Sequence, residues 1–402
     1  MGERRIRKNL ATEGTNARKP TKPQLFESET KGAQGKKIDE LKANLVELAG
    51  YAYRYKSENP ENPDFYYKNE VRAAADFARH CTYTALGVVV RDGLGRYAKD
   101  PQRIDILEKA EEIFYEVKKF YDSLPYAQLE GRQEFYPLFV MRRSFGKMEI
   151  EIKNVKKNQT NQSERERYAR NAEQTCGEIN CLFELYIKSV REAAKRLMDA
   201  GVAGDTYVYV PFYSPPKSTA GELAAPQEGN DPEKMKQKVN ELAKYYFTGM
   251  GDLVNGGLRH GCDVYSKYPD PGERHDRWKN RQLDIMKQLK DLYGGIPEGD
   301  LASDPRFCYI AVGKRLVAEM DEAVSDVLAG EKPGKMAKIK IEMKLDSVHR
   351  IGRAFLAAGE CYADEIDSLA RRIHAIPGEE QFHFETPTVH GGTKRKYETQ
   401  LF

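Results

Sequence analysis

The chain lacks the short signatures that would announce a catalytic centre. It has no GxxxxGK[ST] run and no GxGxxG. Gly93-Leu94-Gly95 runs on into Arg96-Tyr97, without the strand–turn–helix context that a phosphate cradle requires. GxSxG, HExxH and an EF-hand loop are missing as well. The six cysteines (Cys81, Cys176, Cys181, Cys262, Cys308 and Cys361) include no CxxC pair and mostly fall within helical patterns. This predicts reduced, buried thiols and no zinc or disulfide framework. No stretch approaches the roughly 18 apolar residues of a membrane span, the longest being Ala85–Val90. The opening Met1-Gly2-Glu3-Arg4-Arg5 leads into no apolar region, and Glu3 and Glu13 interrupt the basic stretch. The expectation is therefore neither a secretory nor a mitochondrial leader, and a protein that is cytoplasmic or nuclear, or carried in a virion, but not secreted. No cofactor, no metal and no catalytic residue is expected.

What the chain does contain is charge and helical periodicity. At 402 residues it is long enough for one large or two ordinary domains. Hydrophobic residues make up 40% and charged residues 32%, a charge-rich composition that leans towards helix. The net charge of +3 is unevenly placed. Residues 1–37 carry ten Lys and Arg against four Glu, so the body is slightly acidic and the basic character lies in the arm. Attraction to nucleic acid or another anionic partner would begin there.

Asn62-Pro63, Asp100-Pro101, Asp231-Pro232 and Asp304-Pro305 each precede a helical pattern. Asp or Asn would cap the first free amides and proline would occupy the first helical position. Asp270-Pro271 reads as a turn. Helices are expected after Asp100 as far as Leu124, at about 161–200, and at about 232–255, 273–292, 304–329 and 336–375. Within 134–153, Met148, Ile150 and Ile152 alternate with Glu149, Glu151 and Lys153, which predicts a β-hairpin there. Thr206–Tyr213 is an edge-strand candidate because of Pro211.

The expected architecture is mainly α: two helical-bundle lobes with long helices, a small β element and irregular arms. Its divisions are a basic N-terminal arm at 1–37, a lobe at 38–213, a linker at 214–230, a second lobe at 231–375 and a C-terminal arm at 376–402. Within the last helix, apolar or small residues recur at alternating steps of four and three from Ile341 to Ile373. This makes Leu345, Val348, Gly352, Phe355, Gly359, Tyr362, Ile366 and Leu369 a packing seam. Its two glycines predict close approach of another backbone. The charge order of this helix opposes its macrodipole, basic first and acidic second, which points to ion pairs with a neighbouring helix or to an anion site.

Candidate nucleic-acid or anion contacts are Arg4, Arg5, Arg7, Lys8, Arg18 and Lys19 in the arm. Further candidates are Arg274, Arg277, Trp278, Lys279 and Arg281 around the single tryptophan, and Lys338, Lys344, Arg350 and Arg353 on the last helix. His260, Cys262, Asp263, Asp270, Glu273, His275 and Asp276 form the densest group of ligand-type residues, but their spacing matches no metal site. The 24 tyrosines suit surfaces that become buried on assembly. These features favour a non-enzymatic, self-assembling, nucleocapsid-like protein whose arms reach neighbouring subunits and whose basic segments contact RNA or single-stranded nucleic acid. The alternatives are a helical scaffold for protein partners and a helical enzyme with residues such as His260, Glu273 and His275 in its site.

Overall fold

A computed structural model describes residues 65–67, 82–199, 208–210, 229, 231–267, 272–329, 335–389 and 395–397. The fold is mainly α. The first helix, α1, covers 82–99 and contains a π-helical stretch, Val88–Leu94. There follow α2 (Ile104–Asp122), α3 (Tyr126–Leu129), a 3₁₀ turn at Gln133–Phe135, α4 (Tyr136–Lys157) and α5 (Gln162–Asp199). After α6 (Pro232–Ala243), α7 covers 250–267 and again contains a π-helix, Asp252–Arg259. The series ends with α8 (Glu273–Gly294), α9 (Glu298–Leu301), a 3₁₀ turn at Pro305–Phe307, α10 (Cys308–Leu328) and α11 (Lys335–His374). β1 (Phe65–Tyr67) pairs antiparallel with β2 (Val208–Val210), and β3 (Phe384–Thr386) with β4 (Arg395–Tyr397).

This order contains one plan twice. A helix with a π-helical stretch, a long helix, a one-turn helix, a 3₁₀ turn, two long helices and a strand run from α1 to β2 and again from α7 to β3. The matched positions keep a spacing of about 168 to 176 residues, the signature of an internal repeat. Leu86, Val90 and Tyr97 of α1 match Val254, Leu258 and Tyr265 of α7, and all six are buried. Phe114, Val117 and Tyr121 of α2 match Met286, Leu289 and Tyr293 of α8, again all buried. Phe135 packs on Tyr186 with ring centroids 6.2 Å apart, and Phe307 on Tyr362 at 6.1 Å, with interplanar angles of 36° and 33°. A Cβ at Gly93 would lie 2.3 Å from the Ala110 Cβ, and one at Gly261 1.9 Å from Gln282 Nε2, so the first helix crosses the second equally closely in both halves. The halves meet through equivalent elements, α4 against α10 and α5 against α11, as the two copies of an isologous dimer would. Both contribute to one buried apolar cluster.

Several expectations need correction. No hairpin forms at 134–153; the segment is the 3₁₀ turn and α4. Leu138, Met141, Phe145, Met148, Ile152 and Val155 are all buried, a helical series, while Ile150 is 60% exposed. Three alternating positions were too few to set the period. The helix expected at 232–255 ends at Ala243, and a turn precedes α7. Asp231 does cap α6, accepting from the Glu233 and Lys234 amides, and Asp304 accepts from the Arg306 amide. Asp100 does not cap a helix: α2 begins at Ile104, and Asp100 instead accepts from the Gln102 amide in a turn. The C-terminal arm is not wholly irregular, since it supplies β3, β4 and a bridge from Thr388 to Thr248. Asn62-Pro63, Asp270-Pro271, the arm at 1–37 and all of the linker but Gly229 lie outside the described residues.

Candidate nucleic-acid interface

The π-helix of α7 packs against α11 and carries Arg259 to that contact. Wider winding there puts Arg259 against α11 while His260, the next residue, is exposed and turned towards α8. A Cβ at Gly352 would meet Arg259 Cδ at 2.8 Å and Val254 Cγ1 at 3.2 Å. Close approach at this seam position thus admits the Arg259 stem. Arg259 Nη1 donates to Asn255 Oδ1, and Nη2 lies 3.2 Å from His349 Nδ1. Arginine can only donate, so His349 Nδ1 accepts. The proton on His349 Nε2 then points at Asp263 Oδ1, 2.8 Å away.

Arg353 stands beside this chain, one turn beyond His349. Neither Arg259 nor Arg353 has a carboxylate within 4 Å among the described residues. Burial, and then the neighbouring Arg353 charge, pull the Arg259 pKa below the ordinary arginine range. Burial lowers that of Arg353 too, against the opposing pull of Glu178. Both guanidiniums stay protonated near neutrality, so the shifts chiefly express the burial of two cations, with like-charge repulsion a smaller cause at Arg259. On the other side of α7, His260 meets the Trp278 ring edge-on at 6.4 Å, and the Arg281 guanidinium lies 5.3 Å from the Trp278 ring centroid.

The sequence candidates therefore divide. Arg353 lies beside Arg259 on the α11 side of α7, whereas Trp278 and Arg281 lie with His260 on its α8 side; the sequence reading did not place Arg259 or His260 at these contacts. Arg277 is exposed and paired with Glu273 at 3.1 Å, Arg274 is exposed, and Lys279 is half-buried on the same helix. Arg350 is bound to Asp346 at 3.1 Å and its stem covers Gly177. Lys344 donates to the Asp326 carbonyl at the end of α10, where a cation suits the helix C-terminus. Lys338 lies in the first turn of α11. Arg4, Arg5, Arg7, Lys8, Arg18 and Lys19 lie outside the described residues. The acidic second half of α11 is accounted for by α4: Arg143 holds Asp364 at 2.8 Å and Glu365 at 2.6 Å, and Lys147 holds Glu360 at 3.3 Å.

Along the seam, Val348, Gly352, Phe355, Tyr362, Ile366 and Leu369 are buried and Leu345 is half-buried. Gly359 departs from the expectation of close approach, because a Cβ there would meet nothing within 4 Å. The ligand-type group around His260 does not converge. His275 stacks on Tyr265 at 4.6 Å, Cys262 is buried with its thiol pushed up to about 12, and Asp263 faces His349. Among the described residues no three such side chains gather to hold a metal ion. Burial likewise pushes the Cys176 thiol up to about 12, and raises Cys181, Cys308 and Cys361. No helix among the described residues is long and apolar enough to cross a membrane. Compared with known proteins, the chain matches no family model, no curated protein and no solved structure.

Proposed function

We propose that the protein is a self-assembling structural protein without catalytic activity, which contacts RNA or single-stranded DNA through its basic arm and the α7–α11 face. The observation that carries this reading is the pair Arg259 and Arg353, half-buried side by side without ion-paired carboxylates, with Trp278 and Arg281 together across α7. Phosphate oxygens would pair with these guanidiniums, and an aromatic ring beside a guanidinium offers a stacking surface for a base. The arm would add sequence-independent attraction and reach a neighbouring subunit.

The test is a gel shift of full-length protein with a single-stranded RNA at low salt. Wild type should bind. The Arg353→Gln and Arg281→Gln variants should each bind about two- to tenfold more weakly, with a smaller salt dependence. Removing residues 1–37 should weaken binding further. An unshifted RNA at low salt defeats the proposal. A second reading, a scaffold for another protein's helix, draws support from Ile339 and Met343, which are 53% and 67% exposed on the first turns of α11. It predicts partner binding that survives loss of the arm.

A further inference from the structure

The two halves differ at one packed position. In α5, Phe183 is fully buried, its ring stacked on Tyr186 with centroids 6.2 Å apart and planes at 29°. Tyr186 matches Tyr362, so the position matching Phe183 is Gly359. The space a phenyl ring fills in the first half is open in the second. It forms a cavity of about 260 Å³, lined by Tyr246, Phe247, Met250, Tyr293, Phe355 and Leu356 and reaching Gly359. Tyr293 is 5% exposed, and its hydroxyl has no hydrogen-bond partner among the described residues. An occupant with an acceptor would give this hydroxyl a partner. An apolar cavity of about 150 Å³ already suffices for benzene, so this one has room for a ring with a small substituent.

We propose that this cavity is a binding site for a single neutral aromatic ring, lying where Phe183 lies in the other half and accepting a hydrogen bond from the Tyr293 hydroxyl. The lining is mainly aromatic and aliphatic, with Asn255 and Glu360 also present, and the rings suit edge-to-face and offset packing. A free small molecule and an aromatic side chain of a second copy of this chain would both present such a ring. The proposal does not rest on the nucleic-acid reading, although Asn255, which lines the cavity, also accepts from Arg259.

The probe is p-cresol, titrated into full-length protein and followed by saturation-transfer NMR. Wild type should bind it saturably below about 5 mM. Gly359→Phe should lower the affinity at least tenfold while unfolding stays cooperative, because the side chain fills the cavity as Phe183 does. Gly359→Ala should keep the site, and Met250→Trp should close it from the opposite wall should the phenylalanine variant fail to fold. Sedimentation with and without p-cresol then separates the sources. An oligomer that dissociates with the probe identifies a ring of the second copy, and an unchanged oligomer identifies a free molecule. Absence of saturable binding to wild type overturns the proposal, as does equal binding by the two cavity-filling variants.

Discussion

Asp304 shows how one side chain can serve a helix start and the core together. It accepts from the Arg306 amide at 2.9 Å and pairs with the Arg306 guanidinium at 2.7 Å, both groups being buried. Burial alone would push its carboxyl up. The bonds and charge of Arg306, with the charge of Lys238, outweigh this and hold it below the usual carboxylate range. A depressed acid pKa stabilises the fold above the unfolded value and loses that contribution as pH falls through the folded value. Asp304→Ala takes the bidentate carboxylate from a buried guanidinium and should destabilise the protein at neutral pH by about 3–5 kcal/mol, measured by chemical denaturation. Glu178 has the opposite sign. Burial raises its carboxyl pKa against the pull of Lys147 and the Ser144 hydroxyl. Its proton is held more tightly in the folded state, so its contribution to stability falls as pH rises from the unfolded value through the folded one. Glu178→Gln keeps an acceptor for Ser144 and should flatten the decline in stability as pH rises above the ordinary glutamate range. An unchanged slope would place the titration elsewhere.

Among the elements, the long helices were legible because many buried positions agree. Ala172, Thr175, Ile179, Leu182, Tyr186, Val190 and Ala193 of α5 are all buried at helical spacing, as expected. α4 was misread because Ile150, an exposed isoleucine, imitated a strand between Met148 and Ile152. Ile150→Asp should therefore change stability by less than about 1 kcal/mol, whereas Ile152→Asp, which buries an unpaired charge, should cost at least about 3 kcal/mol. Equal costs in thermal melts would return the segment to a strand. The π-helices had no sequence signal that distinguishes 3.6 from wider winding, and with them the gathering of Arg259, His349 and Asp263 was hidden. Of the site, Trp278, Arg281 and Arg353 were legible as a ring and cations on helix faces, but the packing of Arg259 beside Arg353 was not. The seam glycines also separate at this scale. Gly352→Leu should destabilise by about 1–3 kcal/mol through collision with Arg259 and Val254. Gly359→Ala should instead stabilise by about 0.5–1 kcal/mol, since it restricts the unfolded chain and meets only open space.

The whole molecule is a duplicated helical unit joined to itself through α4, α5, α10 and α11. Arg143 of α4 reaches Asp364 and Glu365 of α11, and the matching Arg315 of α10 reaches Leu185 and Ser189 of α5, so the cross-contacts repeat with changed chemistry. The duplication was present in the sequence as Leu124-Pro125 with Leu129 and Phe135, against Ile296-Pro297 with Leu301 and Phe307. It escaped notice because few residues are identical and because the spacing shifts where a longer connection separates α10 from α11. Divergence after duplication also explains why the Arg259 face and the Gly359 cavity occur in one half only: Glu173 and Gly177 stand where the second half has His349 and Arg353, and Phe183 where it has Gly359. The most direct test of the central functional claim is sedimentation of the full-length protein at low salt, with and without a single-stranded RNA. The account predicts an oligomer that binds the RNA and grows or orders upon it. A monomer whose sedimentation the RNA leaves unchanged would contradict it.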